Sequence, residues 1–512
     1  MIVAASQLGD ALDHIGVVVI ALLAGAALLA PSTRARAAAS LGALVLTPIL
    51  LVADIWDSSP LVSLRDHPPV AAAAVVAALV AVVVLAWVFG RWPALLPLLA
   101  VAALPFRIPI SAGGDTANLL VPLYLVIGAG VLSCAVARLR AEDDDAPFRP
   151  GWLEWLLCGS VALYALQATY SDDFTKGLQN VVFFYVPFAL LFGLLREVRW
   201  TQRLALQCLG VLTALALLFV GIGFVEYARK ELLLNPRLVA ASQNESYFRV
   251  NSLFFDPNIY GRFLAMVMLA IATIVIWTRQ MRDVVLGAIV LAILWAGLVL
   301  SFSQSSFAAL LVGLAVLAAL RWSVKWTVAV CAAAVAIGLD VVLLAPGAIN
   351  LDLSSSRGAD KATSGRVDLI EGDARLFKDR PILGWGSGAY SVVYRREEDV
   401  SVDRATTASH TIPITVAAEQ GIVGLAVYLA LLVAALARLF GGGVARSPLR
   451  SYVAAAFVAL LVHTMVYAAF LEDPITWVLL AIGIALAAGP LPERAARREE
   501  DDEVPLSSLR TG

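Results

Sequence analysis

The sequence predicts an all-α polytopic membrane protein with about 12–15 transmembrane helices and one large external loop. Apolar residues make up 60% of the 512 residues, charged residues make up 15%, and the mean hydropathy is +0.85. Soluble domains have roughly 25% charged residues, so this composition indicates a chain that lies mostly in lipid. Apolar stretches of about 20 residues, which can cross roughly 30 Å of hydrocarbon, recur from residue 11 to residue 489.

The order of apolar and polar stretches predicts five segments. The first apolar stretch, at 11–30, lacks a preceding basic region or cleavage site, so we expect a retained helix. The acidic run at 499–503 predicts a solvated, disordered end. The segments are N-terminal transmembrane helices at 1–150, central transmembrane helices at 151–345 with an external loop near 228–262, a large external loop at 346–410, C-terminal transmembrane helices at 411–490 and a cytoplasmic tail at 491–512.

Residues 94–120 fit two interpretations. A short apolar run there ends at Pro105, and the residues that follow fit either a re-entrant turn or an ordinary external loop. Irregular backbone within the membrane must be shielded by protein.

Basic residues in the short loops fall mainly on one side of the alternating spans. Positively charged short loops face the cytoplasm, so both long polar loops are predicted to face outward.

Several classes of function find no support in the sequence. The chain has no basic patch typical of nucleic-acid binding, and its four cysteines lie in apolar stretches without the spacing of a disulfide framework or a metal site. We therefore expect no metal and no cofactor. A transporter built from inverted repeats is also disfavoured, because no two halves have matching Gly- or Pro-broken spans.

The external loop near 228–262 contains the first candidate site. Asp256-Pro-Asn258 is a turn signal, and Asn258 can cap the helix that follows. Arg262 lies one turn inside that helix, where an unpaired charge is costly and therefore marks a functional candidate. Alternatively, Arg262 extends to the interface or pairs with Asp256. Arg249 can approach the same patch or remain a solvated loop arginine.

The segment Ser301–Ser306 is a polar hinge between two apolar spans. Its hydroxyls and the amide of Gln304 can hydrogen-bond a lipid headgroup or, alternatively, cap a helix and contact its neighbours.

The large loop contains a predicted amphipathic helix and a glycine-rich turn. Apolar residues at helical spacing predict a helix on the outer surface that Pro381 ends. After it, Gly384, Gly386 and Gly388 permit a tight turn where backbone can approach a ligand. The apolar stripe is Val367, Ile370, Ala374 and Phe377.

The end of the loop contributes His410. A neutral imidazole at the membrane surface can accept a proton near physiological pH, although a helix-capping role is an alternative. Glu419 lies inside the next span, where it can pair with an arginine or take part in catalysis. The other histidines, His14, His67 and His463, have no supporting neighbours in the sequence.

Taken in order, these motifs resemble the O-antigen ligase and O-antigen polymerase superfamily of bacterial membrane glycosyltransferases. The resemblance covers roughly residues 150–440, and the blocks at 379–388 and 410–424 are its most specific part. It implies the C-type glycosyltransferase superfold in the bacterial cytoplasmic membrane, with the active site beneath the large external loop on the periplasmic or extracellular side. It also implies transfer of glycan from an undecaprenyl diphosphate carrier to an acceptor hydroxyl, with inversion and without a metal.

The resemblance assigns roles to individual residues. Arg366 matches the loop arginine of the family and His410 its loop histidine. Arg366 is therefore expected to bind diphosphate, and the catalytic residue His410 to act as base or to orient the acceptor hydroxyl. External arginines take the place of a metal at the diphosphate. Supporting roles fall to Asp256, Asn258, Gln304, Gly384, Gly386, Gly388 and Glu419.

Two positions depart from the family pattern. Gln304 stands where an arginine is expected in the hinge, and Thr411 follows His410 where the family has asparagine. We expect Arg249 or Arg262 to replace the missing hinge arginine.

Three alternatives to a ligase stay open. A repeat-unit polymerase shares the donor chemistry. A lipid-linked glycan transporter or flippase shares the spans and basic residues but needs no His410. A non-catalytic membrane scaffold needs neither His410 nor the arginines. The expected partners are the carrier-linked glycan, a glycan, lipid or protein acceptor, and membrane lipid.

Overall fold

The computed structural model describes most of the chain. The residues outside the description are 1, 55, 57–65, 113–114, 141–148, 234–247, 333–365, 399–410, 466, 468 and 489–512.

Apolar helices dominate the described residues, so the predicted fold class is confirmed. Ten helices are long and apolar enough to cross a membrane, and two shorter apolar helices follow at Pro448–Thr464 and Pro474–Ala487. Together they reach the lower end of the predicted range of about 12–15 spans.

The first half of the described chain contains nine helices and one hairpin. The elements are α1 (Ile2–Leu29), α2 (Thr33–Asp54), α3 (Pro68–Arg91), α4 (Leu95–Ala103), β1 (Ile108–Ala112), β2 (Asp115–Leu119), α5 (Val121–Arg140), α6 (Trp152–Ala168), α7 (Phe174–Asn180), a π-helical turn (Val181–Tyr185), α8 (Val186–Leu195) and α9 (Gln202–Arg229).

The second half carries the serine hinge, the described part of the large loop and the last spans. Its elements are α10 (Pro257–Trp277), α11 (Met281–Ser301), α12 (Gln304–Arg321), α13 (Arg366–Asp379), α14 (Tyr390–Glu398), α15 (Ile412–Phe440), a 3₁₀ turn (Val444–Arg446), α16 (Pro448–Thr464) and α17 (Pro474–Ala488).

Helix α10 forms the centre of the bundle. In the apolar stretch of α10 that is long enough to cross a membrane, 83% of residues are buried. The corresponding share is 6% in α3, which lies at the periphery. It packs against α9, α11, α12 and α16. Any polar side chain on α10 is therefore enclosed by other helices.

Side-chain caps define where several spans begin. The Asp256 carboxylate accepts the backbone N–H of Asn258, and Pro257 occupies the first helical position of α10. Ser303 accepts the N–H of Ser306 at the start of α12, and Thr201 accepts the N–H of Leu204 at the start of α9. The predicted turn at Asp256–Asn258 is confirmed, but the predicted cap is wrong, because Asp256 caps α10 and Asn258 lies inside its first turn.

The ambiguous segment after Pro105 forms a short antiparallel hairpin. Strands β1 and β2 pair from Ile108 with Leu119 to Ala112 with Asp115. A Gly-Gly pair separates the strands in the sequence, which is a combination typical of two-residue hairpin loops. This hairpin is the local departure from the all-helical prediction.

The helix predicted in the large loop is confirmed as α13, and Pro381 follows its end. The apolar stripe is wrong at Ala374, which is exposed, whereas Leu376 is buried with 1% exposure. Gly372 lies on the same buried face, where a Cβ would meet the Tyr394 ring at 2.7 Å. Packing on α14 therefore rotates the helix away from the orientation that the stripe predicts.

Candidate functional site

Arg262 lies at the centre of the candidate site. Its side chain is 1% exposed, and its Nη2 lies 2.5 Å from Oδ2 of Asp473, which is equally buried. The partner is therefore Asp473, at the start of α17, and not the nearby Asp256 that the sequence suggested. A buried ion pair of this kind holds both charges in a fixed position.

The guanidinium of Arg262 has unused donors. Its Nε and Nη1 atoms are buried and have no hydrogen-bond partner among the described residues. Its Cζ lies 6.0 Å from the centre of the Tyr467 ring. Because buried donors are nearly always satisfied in proteins, these two nitrogens indicate a site for an acceptor group that comes from a ligand.

Arg107, just before the hairpin, belongs to the same site. It lines the same cavity as Arg262 and Asp473, and its Cζ lies 5.2 Å from the Phe255 ring centre. Burial lowers the pKa of Arg107, the carboxylate of Asp473 opposes that shift, and Arg262 adds to it. The sequence showed Arg107 only as a basic residue near a bend, and no motif distinguishes it.

The Asp256 turn joins this group through Tyr467. The Tyr467 hydroxyl donates a hydrogen bond of 3.1 Å to Oδ2 of Asp256. Burial, followed by the charge of Asp256, raises the pKa of Tyr467. Tyr467 therefore stays a neutral hydrogen-bond donor beside the arginines.

Arg249 is held by neighbouring loops. Its Nε donates to the carbonyl of Ser301 at 3.1 Å, and its Nη2 donates to Oδ1 of Asn258 at 3.2 Å. It does not line the cavity that contains Arg262. These contacts favour a role in positioning the Asn258 turn against the serine hinge.

The serine hinge forms a hydrogen-bonded cluster. Ser303 Oγ donates to Oδ1 of Asn258 at 2.9 Å and lies 2.7 Å from Ser306 Oγ. Gln304, in contrast, is exposed and makes no hydrogen bond with a described residue. The hinge therefore joins α10 to α12, and Gln304 is not part of the arginine group.

In the folded protein, His463 has polar and aromatic neighbours that the sequence did not indicate. Its side chain is 0% exposed, and Nε2 lies 3.2 Å from Ser305 Oγ. Its Nδ1 has no partner among the described residues, and its ring centre lies 5.7 Å from that of Tyr467. The contact joins α12 to α16, and no local pattern near either residue predicts it.

The arginines line a cavity of about 550 Å³, which we call the arginine cavity. Residues of α10 from Ile259 to Ile274 line it, so it extends roughly 22 Å along that helix. Most of the remaining lining is apolar, from α4, α9 and α17. The site therefore combines buried cationic donors with a long apolar chamber.

The glycine-rich turn contacts protein on all three glycines. Gly384, Gly386 and Gly388 have φ values of 71°, 98° and 85°. A Cβ at Gly384 would lie 2.2 Å from the carbonyl oxygen of Glu419, and one at Gly386 would lie 2.3 Å from Cα of Ser171. The Cβ positions of Gly384 and Gly386 therefore face protein, because α15 and the α6–α7 connection fill the space. Gly388 also lines a second cavity, and the approach of this backbone to a ligand stays a prediction.

Glu419 fixes the turn to α15. Its Oε1 accepts the backbone N–H of Tyr390 at 3.1 Å. No arginine in the described part of the chain pairs with it. Glu419 also lines this second cavity, which has a volume of about 300 Å³ and contains Glu472.

The family resemblance assigned roles to Arg366 and His410. Arg366 begins α13, and the description does not extend to its side chain. His410 lies outside the described residues. Thr411, the next residue, donates from Oγ1 to the carbonyl of Met465 at 3.1 Å, in the segment that carries Tyr467. Among the described residues, no group of three His, Cys, Asp or Glu side chains could hold a metal ion.

Two comparisons with known proteins bear on this site. No curated protein sequence matches the chain. The model of the O-antigen ligase family matches residues 288–429, a range that includes the serine hinge, the glycine-rich turn and Glu419. The resemblance inferred from the motifs is thereby confirmed over residues 288–429, the part of the chain that the O-antigen ligase family model matches.

Proposed function

We propose that the protein transfers a glycan from an undecaprenyl diphosphate carrier to an acceptor hydroxyl, as an O-antigen ligase-like enzyme of the bacterial cytoplasmic membrane. The observation that carries this proposal is the pair Arg107 and Arg262 beside Asp473 in the wall of a cavity whose remaining lining, which also includes Arg446, is mostly apolar. The donor has the same two parts, an anionic diphosphate and a long apolar chain.

The arginines supply charge where the reaction needs it. When the bond between the anomeric carbon and the diphosphate breaks, negative charge grows on the leaving oxygen. Arg262 offers the unused Nε and Nη1 donors, and Arg107 makes no hydrogen bond with a described residue. Charged donors in an enclosed site stabilise such an oxyanion more strongly than water does.

Asp473 has a positioning role. It fixes Arg262 through Nη2 and leaves the other two nitrogens for the diphosphate. The carboxylate also offsets part of the positive charge while the donor is absent.

The apolar length of the arginine cavity suits a prenyl chain. Phe263, Met266 and Ala270 follow one another along α10 and all line it. Burial of each methylene contributes about 0.8 kcal/mol, so a chain in this chamber adds affinity without adding specificity for the sugar.

This assignment revises which arginine replaces the family's hinge arginine. Arg262 and Arg107 take that role, whereas Arg249 orders the Asn258 turn. Arg366 keeps the role that the family resemblance implies, as a second diphosphate ligand from the large loop.

His410 acts as the base in the proposed mechanism. It accepts the proton of the acceptor hydroxyl, the hydroxyl oxygen bonds to the anomeric carbon, and the carrier diphosphate leaves with the electron pair of its bond. Attack from the face opposite the leaving group inverts the anomeric configuration. No metal and no cofactor take part.

The proposed topology follows the distribution of basic residues. The end of the bundle with the serine hinge, the glycine-rich turn and Asp473 faces the periplasm or the cell exterior, and the opposite end faces the cytoplasm. The five sequence segments and the C-type superfold stay predictions within this arrangement.

The test is transfer of a labelled glycan from undecaprenyl diphosphate by purified protein in detergent with EDTA. Wild type is compared with His410→Ala, Arg366→Ala and the control Arg282→Gln, an exposed arginine outside the site. We expect transfer by wild type and control, and loss of at least about 100-fold with His410→Ala, the scale of a general base. Equal rates for all four proteins, or movement of intact donor across a vesicle membrane without transfer, would refute the proposal.

The acceptor distinguishes a ligase from a polymerase. Transfer onto a second carrier-linked repeat identifies a polymerase of the same superfamily, and transfer onto a different glycan, lipid or protein identifies a ligase.

A further inference from the structure

The second cavity and the arginine cavity share no lining residue, although two residues that are adjacent in the sequence line one each. Glu472 lines the second cavity, whereas Asp473 lines the arginine cavity. Its volume of about 300 Å³ is at the lower end of the roughly 300–1,000 Å³ range of small-molecule sites. The family resemblance gave Gly388 and Glu419, which line this cavity, supporting roles but named no ligand for it.

Aromatic rings form much of its wall. Tyr164 and Tyr185 are stacked, with ring centres 4.2 Å apart and an interplanar angle of 26°. Tyr428 meets Phe470 edge to face at 5.6 Å. These four side chains line the cavity and give it flat apolar surfaces.

Polar atoms between the rings have no protein partner. The hydroxyl of Tyr428, a residue only 5% exposed, has no hydrogen-bond partner among the described residues. The Tyr185 hydroxyl and the Glu472 carboxylate also make no hydrogen bond within the described part of the chain. Leaving the buried Tyr428 hydroxyl unsatisfied costs about 1–3 kcal/mol, and the three groups together suit a ligand with several hydroxyl groups.

The charges of the described residues in this cavity disfavour an anionic ligand. Among the described lining residues, the titratable groups at neutral pH are Glu419, Glu472 and Lys176, which make the cavity net negative when all are ionised. Oε1 of Glu419 accepts the backbone N–H of Tyr390, so Glu472 is the carboxylate with more acceptor sites left for a ligand. This is the opposite charge to that of Arg107 and Arg262.

We propose that the second cavity binds a sugar residue that carries no anionic group. A sugar ring has an apolar C–H face, which suits Tyr164 and Tyr185, and a hydroxyl edge, which suits Tyr428 and Glu472. The inference rests on the proposed function in one respect, which is that the sugar belongs to a glycan handled by the transferase. Two sources share this chemistry, the acceptor glycan and the outer sugars of the donor glycan.

The test is retention of the purified full-length protein on an array of neutral, amino-substituted and uronic-acid-terminated oligosaccharides. Wild type should be retained by neutral or amino-substituted glycans and not by the acidic set. Tyr428→Phe should weaken retention about fivefold, as expected for one neutral hydrogen bond, and Glu472→Gln about tenfold. The control Glu397→Gln removes an exposed carboxylate outside the cavity and should match wild type.

Folding of each variant is checked by its elution and thermal unfolding in detergent. Both cavity substitutions are nearly isosteric, and Tyr185→Phe offers a third hydroxyl deletion if one variant is unstable. Retention of no glycan, preferential retention of acidic glycans, or unchanged retention by folded Tyr428→Phe and Glu472→Gln would each overturn the inference.

Transfer kinetics identify the source of the sugar. A raised KM for the acceptor in Tyr428→Phe assigns the cavity to the acceptor, and a raised KM for the donor assigns it to the outer donor sugars. Array binding needs no catalysis, so the two proposals fail separately. Glycan retention without transfer contradicts the proposed function alone, whereas transfer without cavity-dependent retention contradicts only this inference.

Discussion

Oδ2 of Asp473 lies 2.5 Å from Nη2 of Arg262, and each side chain is 1% exposed. The pair joins the second turn of α10 to the start of α17. It therefore connects the helix at the centre of the bundle to the last span, and it orients the arginine that we assign to the donor diphosphate.

Removing one member of this pair should destabilise the protein. Asp473→Asn leaves the buried guanidinium without its counter-charge, at a cost of about 3–5 kcal/mol, whereas the double variant Arg262→Met with Asp473→Leu should recover much of the loss. Thermal unfolding in detergent measures this, with Glu397→Gln as the control. A double variant less stable than Asp473→Asn would contradict the role of the ion pair.

Close packing of α10 against the serine hinge predicts a second effect. A Cβ at Gly261 would lie 2.7 Å from Ser306 Oγ and 3.0 Å from Ser303 Cβ, whereas one at Gly210 would meet nothing within 4 Å. Gly261→Ala should therefore cost about 1–3 kcal/mol. Gly210→Ala, also inside a helix, should be neutral or slightly stabilising. Equal unfolding temperatures for the two variants would show that the hinge does not pack as described.

The glycine-rich turn allows strain and steric contact to be separated. Gly384 and Gly442 both have positive φ, 71° and 56°. An alanine Cβ at Gly384 would lie 2.2 Å from the Glu419 carbonyl oxygen, whereas at Gly442 the nearest atom is 3.8 Å away. Gly442→Ala should cost about 1 kcal/mol of conformational strain, and Gly384→Ala should prevent accumulation of folded protein. Similar yields of the two folded variants would contradict the packing of the turn on α15.

Glu472 should make binding of an amino-substituted glycan depend on pH. Burial raises the pKa of Glu472 from its ordinary value of 4.5, and Lys176 opposes the shift. Because the carboxylate is ionised only above this raised pKa, retention of a cationic sugar should be strong at neutral pH and weaken as the pH falls through it. Glu419 and Lys176 face the same cavity and stay unchanged in Glu472→Gln, which should lose most of the pH response. If Glu472→Gln kept the wild-type pH response, Glu472 would be excluded as the source of that response.

Much of the fold could be predicted because membrane spans are local features of the sequence. Hydropathy and length identify the helices, and turn chemistry predicted the helix start after Asp256. The hairpin after Pro105 escaped prediction because five-residue strands leave a weak pattern in an apolar chain.

The candidate site was predictable only in part, because its contacts join distant segments. Arg262 could be singled out, since an arginine inside a span is rare. Its pairing with Asp473, the contact between His463 and Ser305, and the place of Arg107 depend on how helices pack. The glycines of the turn were recognised as special, but Gly384 packs closely on α15, Gly386 on the α6–α7 connection and Gly388 on α7.

We assign binding of the carrier diphosphate to Arg262 and Arg107. The affinity of purified protein for undecaprenyl diphosphate measures this binding. Wild type is compared with Arg262→Gln, Arg107→Gln and the exposed control Arg282→Gln. Loss of charged hydrogen bonds should weaken binding about 10- to 100-fold in each site variant, and the control should bind as wild type does. Wild-type affinity in both folded site variants would contradict the claim, because the diphosphate would then be bound elsewhere.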